Sequence, residues 1–235
     1  MTDAGKILVV IPARGGSKRL PRKNVLPLAG KPLICWTIEA ALDAKLDSRI
    51  VVTSDDEEIL SITNQYAPRG VIAHKRSENL AIDTASTTDA LIDAVKAQQK
   101  LGYDARIVVL LQPTSPLRNH EDIQEAIRTY SAFGKNKTLV SVCEVDHPAA
   151  WVGKITKDGC LTGIDLSGKR SQDYEIEYRL NGAIYILDVR TLLLTQHMFT
   201  KQLIPFVMPR DRSWDIDTAL DFTICESVKN HHYPS

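Results

Sequence analysis

Residues 105–112 read ARIVVLLQ. The five consecutive apolar residues Ile107 to Leu111 leave no polar face, so a strand here is covered on both sides, as in the middle of a parallel sheet. The run is far too short to cross a membrane. Working outward, the same type of segment recurs: KILVVI (6–11), RIVVTS (49–54), GVIAH (70–74) and TLVSVCEV (138–145) also read as strands. Segments of helical period lie between them. Pro32 opens a helix through Leu33, Trp36, Ile38 and Leu42, since Pro is tolerated in a first helical turn. Asp55-Asp56-Glu57-Glu58 places acids on the first turn of a helix that ends near Tyr66. Thr84 or Ser86 caps a third, with Leu91, Val95 and Leu101 along its stripe, and Asn119 caps a fourth. This alternation predicts an α/β fold with a doubly wound, mainly parallel sheet and right-handed crossovers. In such a sheet ligands bind beyond the carboxyl ends of the strands.

The rhythm breaks after about residue 146. Residues 147–178 hold Gly153, Gly159, Gly163 and Gly168 among short alternating apolar pieces, and no long helix fits. They predict a small β-rich arm, a plausible dimer contact, within one domain spanning 1–235. NGAIYIL (181–187) and LIPFVM (203–208) return to the core, and a closing helix runs from about Thr218 to Lys229. In the whole chain of 235 residues, 29 Lys and Arg balance 29 Asp and Glu, which gives no global reason to expect nucleic-acid or membrane binding. Cys35, Cys143, Cys160 and Cys225 are scattered, with no ligand spacing, and read as free thiols in a reducing compartment. The N-terminus shows no cleavable signal pattern. A cytoplasmic protein is the expectation.

Charge is nonetheless concentrated in one place. Residues 9–24 read VVIPARGGSKRLPRKN, and no Asp or Glu occurs between Asp3 and Glu39. The loop follows the first strand directly, as QPTSPLR (112–118) follows the strand of 105–112, so both are expected at the ligand-binding edge. A Walker loop needs G-x-x-x-x-G-K-[ST], and Gly15-Gly16-Ser17-Lys18 lacks the first glycine at that spacing; a dinucleotide loop would need G-x-G-x-x-G opening a helix. What remains has its own logic. Gly15 and Gly16 admit close backbone approach and expose N–H donors. Ser17 adds a hydroxyl, Arg14, Lys18 and Lys23 can meet several phosphate oxygens at once, and Pro21 stiffens the loop. Such charge density suits a triphosphate.

IPARGGSKRLPRKN resembles the signature of the CMP-sialic acid synthetases, the N-acylneuraminate cytidylyltransferases. VVTSD (51–55), HKRSENLAIDTAS (74–86), LLQPTSPLR (110–118), YRLNGAIYI (178–186) and SWDIDTALDF (213–222) match the same family in order along nearly the whole chain. The resemblance implies a Rossmann-like nucleotidyltransferase sheet. It implies the transfer of CMP from CTP to the anomeric hydroxyl of a nonulosonic acid, with release of pyrophosphate and a requirement for Mg²⁺. Legionaminate and pseudaminate cytidylyltransferases share these motifs, so the acid itself stays open. Carried onto this chain, Arg14, Gly15, Ser17, Lys18, Lys23 and Asn24 hold the triphosphate or the nearby base. Lys23 stabilises charge at the α-phosphate, and Arg76 and Ser86 lie near cytosine and ribose. For Ser86, helix capping is the competing reading.

The resemblance assigns Gln112 to the sugar acid, although Pro113 and Pro116 also make a rigid turn by themselves. Mg²⁺ falls to Asp215 and Asp217, whose alternation on an extended segment points both carboxylates to one side. Asp217 as the cap of the following helix is the alternative. Arg170 and Arg179 are candidates to fork onto the acid's carboxylate, with surface pairs to Glu175 or Glu177 as the alternative. Gln172, Asn181 and Gly182 are expected to shape that pocket. Tyr185 matches a pocket position but on an alternating strand fits the core equally. The partners expected are CTP, the acid and a second copy of the chain.

Overall fold

The computed structural model describes residues 6–16, 19–77, 86–134 and 136–232. The chain runs through β1 (Ile7–Pro12), a small ribbon of β2 (Pro27–Leu28) and β3 (Lys31–Pro32), α1 (Leu33–Asp43), β4 (Ser48–Ser54) and α2 (Glu57–Asn64). It continues through β5 (Val71–Lys75), α3 (Thr87–Lys100), β6 (Ile107–Leu111), α4 (His120–Phe133) and β7 (Thr138–Glu144). The remainder is β8 (Lys154–Ile155), β9 (Leu161–Thr162), β10 (Tyr178–Asp188), α5 (Val189–Thr195), β11 (Leu203–Val207) and α6 (Ala219–His232).

Seven of these strands form one sheet in the order β11-β7-β10-β6-β1-β4-β5. β6 lies beside β1, with Ile7 level with Ile107 and Val10 with Leu110. Its apolar residues divide between two layers, as a doubly covered strand must. Ile107, Val109 and Leu111 join Ile34 and Ile38 of α1 and Ile123 of α4. Val108 and Leu110 face Leu91 and Val95 of α3 and Leu192 of α5. Val109 and Leu110 are fully buried, each worth roughly 1.5–3 kcal/mol of transfer free energy.

The caps lie where short polar side chains reach orphan helix donors. Ser86 caps α3 and Asn119 caps α4, each in a reciprocal box with the acid three residues on. Asp56 caps α2 through two backbone amides. The mainly parallel sheet is as expected, with one difference. β10 is antiparallel to both β6 and β7. The apolar run of NGAIYIL shows burial on both faces but carries no information on direction. α5, seven residues long, has no counterpart in the sequence reading, and α6 continues three residues beyond Lys229.

The segment 147–178 carries less regular structure than expected. β8 and β9 are two residues each, antiparallel, and the rest is turns and two short 3₁₀ segments. It is held locally: Asp165 N–H donates to the Ala150 carbonyl, the Tyr174 hydroxyl donates to Asp165 at 2.8 Å, and Trp151 packs edge-on to Tyr174. Among the described residues all four cysteines are free, and no helix is long and apolar enough to cross a membrane.

Candidate active site

The chain leaves β1 towards β4 and β5, then returns to place β6 on the other side of β1. Ligands bind at such a switch point, outside the carboxyl ends of the strands. Here that edge collects the loops after β1, β4, β5 and β6. The reversed β10 brings its beginning to the same edge, and β11 delivers the segment 208–217. Between them lies a cleft of about 390 Å³, walled by Arg14, Arg19, Lys23, Asn24 and Arg76 on one side. Gln112, Thr114, Asp215 and Asp217 line the other.

The basic loop is seated by contacts distant in sequence. Gly15 N–H donates to Asp55 at 3.3 Å, and a Cβ at Gly15 would collide with the Asp56 carboxylate. That glycine is therefore required by the protein's own packing, and in this structure its N–H is directed at Asp55. Arg22 adopts a left-handed backbone (φ 59°), uncommon for a side chain of its size, and pairs with Asp56 and Glu58 at the start of α2. Asn24, buried, donates to the Arg14 carbonyl at 3.0 Å and braces the turn of the loop. Ser17 and Lys18 lie outside the described residues. The loop, free of acid in the sequence, is thus met by acid in space. Asp55 and Asp56 carried a visible signal, since they end the neighbouring strand on the same edge.

Lys23 reaches across the cleft. Its ammonium donates to the Ile216 carbonyl at 2.5 Å and to Asp217 Oδ1 at 3.3 Å, while Arg19 pairs with Asp217 Oδ2 at 2.9 Å. Arg19 belongs to the same basic loop, and no local pattern in the sequence marks it for this contact. Ile216 is fully buried in a small core with Leu28, Leu33, Leu117 and Cys225, so Asp215 and Asp217 on either side of it both face the cleft. This is the alternation expected. Asp217 is not the helix cap. Thr218 Oγ1 accepts from Asp221 N–H, and Asp221 accepts from the Thr218 amide and hydroxyl and from Asp217 N–H.

The Asp215 Oδ1 is buried and meets no hydrogen-bond partner. Burial pushes its carboxyl above the ordinary aspartate range; the Asp217 charge adds to this, and Thr114 and Lys23 oppose it. Thr114 ties the two segments together, its carbonyl accepting from Ile216 N–H at 2.8 Å. No group of three or more His, Cys, Asp or Glu among the described residues is arranged to hold a metal. Two carboxylates with one orphaned oxygen fit an ion of the Mg²⁺ kind, which takes one or two protein carboxylates and completes its shell with water and phosphate oxygens.

Arg76 is anchored by its guanidinium to Thr53 Oγ1 and the Thr53 carbonyl, and burial lowers its pKa. Ser86 lines the cleft while capping α3, so both readings of that residue describe its position. Gln112 stands beside Gly182, which has φ +77°; a Cβ at Gly182 would lie 3.7 Å from the Gln112 amide oxygen.

The other expected pocket residues are elsewhere. Asn181 is buried with its amide used internally: it accepts from Ser141 Oγ and Ala183 N–H and donates to Ser213 Oγ at 2.9 Å. Tyr185 is in the core, edge-on to Phe199, because its side of β10 faces α3 and α5. Arg170 pairs with Asp173, not with Glu175 or Glu177, and Arg179 is exposed near the start of β10. Gln172 lines a second hollow with Glu144, His147 and Arg210. None of these lines the cleft.

A nucleotide-sized basic cleft facing paired carboxylates, at the switch point of this sheet, defines the class as nucleotidyltransferase-like. Residues 8–154 match the cytidylyltransferase family model. The chain belongs to that family, in the group of the CMP-sialic acid synthetases. It is 37% identical over 230 residues to the CMP-N,N'-diacetyllegionaminic acid synthase of Legionella pneumophila, covering 95% of this chain and 96% of that protein. It is 34% identical over 225 residues to an N-acylneuraminate cytidylyltransferase of Escherichia coli, of which the chain spans about half the length (52%). A CTP-complexed structure of CMP:2-keto-3-deoxy-manno-octonic acid synthetase superposes with a TM-score of 0.73 at 18% identity, covering 97% of this chain and 99% of that one, which concerns the fold alone.

Proposed function

We propose that the chain transfers CMP from CTP to the anomeric hydroxyl of a nine-carbon nonulosonic acid, N-acetylneuraminate first among the candidates, and releases pyrophosphate. The observation that carries this reading is the opposition of Arg14, Arg19, Lys23 and Arg76 to Asp215 and Asp217 across one cleft. The cations hold the triphosphate. Lys23, between the loop and Asp217, meets the charge that grows on the α-phosphate as the acid's hydroxyl oxygen bonds to phosphorus and the pyrophosphate oxygen leaves. Catalysis of this type rests on positioning and fixed charge. Asp215 and Asp217 would hold Mg²⁺, which when bound neutralises phosphate oxygens and supports the leaving group. On triphosphate binding, Arg19 and Lys23 exchange a carboxylate for phosphate and free Asp217 for that role. Gln112, beside Gly182, orients the acid.

Legionaminate is the second reading, favoured by the match to the Legionella relative over almost its whole length. The chain acts as a homodimer in this proposal. Ile155, Leu166 and Ile176 are 78%, 89% and 65% exposed on the 147–178 segment, an apolar surface that a second copy would cover. Arg170 and Gln172 lie on that same segment, away from their own cleft. Pyrophosphate release from CTP and Mg²⁺, with N-acetylneuraminate, legionaminate, pseudaminate and octulosonate offered separately, tests the reaction. Release with one nine-carbon acid is expected. Silence with all four from a folded protein that binds CTP contradicts it. Sedimentation at a dimer's mass is the expected result for the assembly.

A further inference from the structure

Arg118 closes the QPTSPLR segment and is the largest of the fully buried side chains, 1% exposed. An arginine buried this far normally meets a carboxylate in a fork. Arg118 does not. Asp122, whose charge acts on Arg118, is taken by Arg212, whose Nε and Nη2 donate to its two oxygens at 3.0 and 2.9 Å. Lys229 is close enough to add repulsion. The Arg118 Nη2 donates to Thr37 Oγ1 of α1 at 2.7 Å and to the Gln112 carbonyl at 3.3 Å, while Nε and Nη1 meet no hydrogen-bond partner. Burial lowers its pKa to about 10, so it stays charged at neutral pH.

A buried cation without a carboxylate weakens a fold, and an apolar residue of similar volume would pack there at lower cost. What this one does is visible in its acceptor. The Gln112 carbonyl also accepts from Ser115 N–H, and Arg118 N–H donates to the Ser115 carbonyl, so the guanidinium folds back onto the turn that its own backbone closes. That turn carries Gln112 beside Gly182 and Thr114 against the Asp215–Asp217 segment. We propose that Arg118 is a positioning residue: by holding the Gln112 carbonyl from inside the protein, anchored on Thr37, it fixes the acceptor side of the cleft. The inference rests on Gln112 facing the sugar acid.

The test compares Arg118→Met, Arg118→Lys and Thr37→Val with the wild type, using whichever of the four acids the wild type consumes. Arg118→Met is expected to raise the KM for the acid about tenfold while the KM for CTP stays within about threefold. Arg118→Lys keeps the charge but not the fork and falls between. Thr37→Val, which removes only the anchoring hydroxyl, moves the acid KM in the same direction by about threefold. It carries the prediction if Arg118→Met does not fold. Hydrogen exchange at the Ser115 amide is expected to quicken in Arg118→Met and Thr37→Val, with the amides of β1 unchanged. Equal shifts in both KM values, or an unaltered Ser115 amide, would overturn the proposal. If the wild type consumes none of the acids, the functional reading fails, and Ser115 exchange still decides the role of Arg118.

Discussion

The basic loop, 13–24, and the arm, 147–178, are both irregular and glycine-bearing, and they are fixed in opposite ways. In the loop, Arg19, Arg22 and Lys23 meet carboxylates between 34 and 198 residues away in sequence, and Leu20 packs on the core around Ile216. In the arm, Arg170 meets only Asp173, three residues on, and large apolar side chains face outward. Long-range contacts set a loop to the precision that phosphate chemistry needs. Local contacts shape a segment from its own residues. The basic loop is therefore set by the fold around it, whereas residues 147–178 are held mainly by one another and keep several large apolar side chains exposed.

The largest effect expected on the cleft side is at Asp217. Asp217→Asn should lower turnover by about 10³-fold or more while CTP affinity changes only a few-fold. Unchanged turnover would remove the carboxylate pair from the chemistry. β10 begins at the arm and ends in the core, so it tests whether the two regions are separable. Asn181→Ala should cost about 2–3 kcal/mol of unfolding free energy in urea, because Ser141, Ala183 and Ser213 lose partners in a buried place. A collapse of acid affinity with stability intact would return Asn181 to the pocket.

Beneath the loop, burial pushes Lys229 down to about 8 from 10.5, with Lys31 and Arg118 adding to the shift. An unfolded chain still binds that proton when the folded one has lost it, so stability rises as pH passes 8. The rise from pH 8 to 9 should be about 1 kcal/mol, and Lys229→Met should abolish it. The buried thiol of Cys225, raised to about 12 from 9.0, works the other way only above pH 9. The smallest effect is expected at Tyr185: Tyr185→Phe should leave both KM values within about twofold, since the ring faces α3 and α5. A larger loss in acid affinity would put its hydroxyl within reach of the acceptor.

Much of the fold was legible because β6, β1 and β4 carry the apolar pattern of doubly covered strands, and because Asn119 and Ser86 mark helix starts chemically. The direction of β10 was not, since an apolar strand reads the same both ways. Tyr185 was undecidable for a related reason: a period of two separates two faces without saying which one the ligand sees. Asp215 and Asp217 were found as a pair because alternation across Ile216 is local. Their engagement with Arg19 and Lys23 was invisible, as was the seating of Gly15 on Asp55 and Asp56, because no local pattern records a contact 40 residues away. Arg118 read as the end of a motif; its burial, and the diversion of Asp122 to Arg212, exist only in the folded chain.

The central claim is that the cleft between the basic loop and the Asp215–Asp217 segment cradles a nucleoside triphosphate. Calorimetric titration of the chain with CTP in Mg²⁺, beside Lys23→Ala and Arg76→Met, tests it most directly. One CTP per chain, with affinity reduced at least about tenfold in each variant, is the result predicted. No binding by the folded wild type, or binding indifferent to both substitutions, would contradict it.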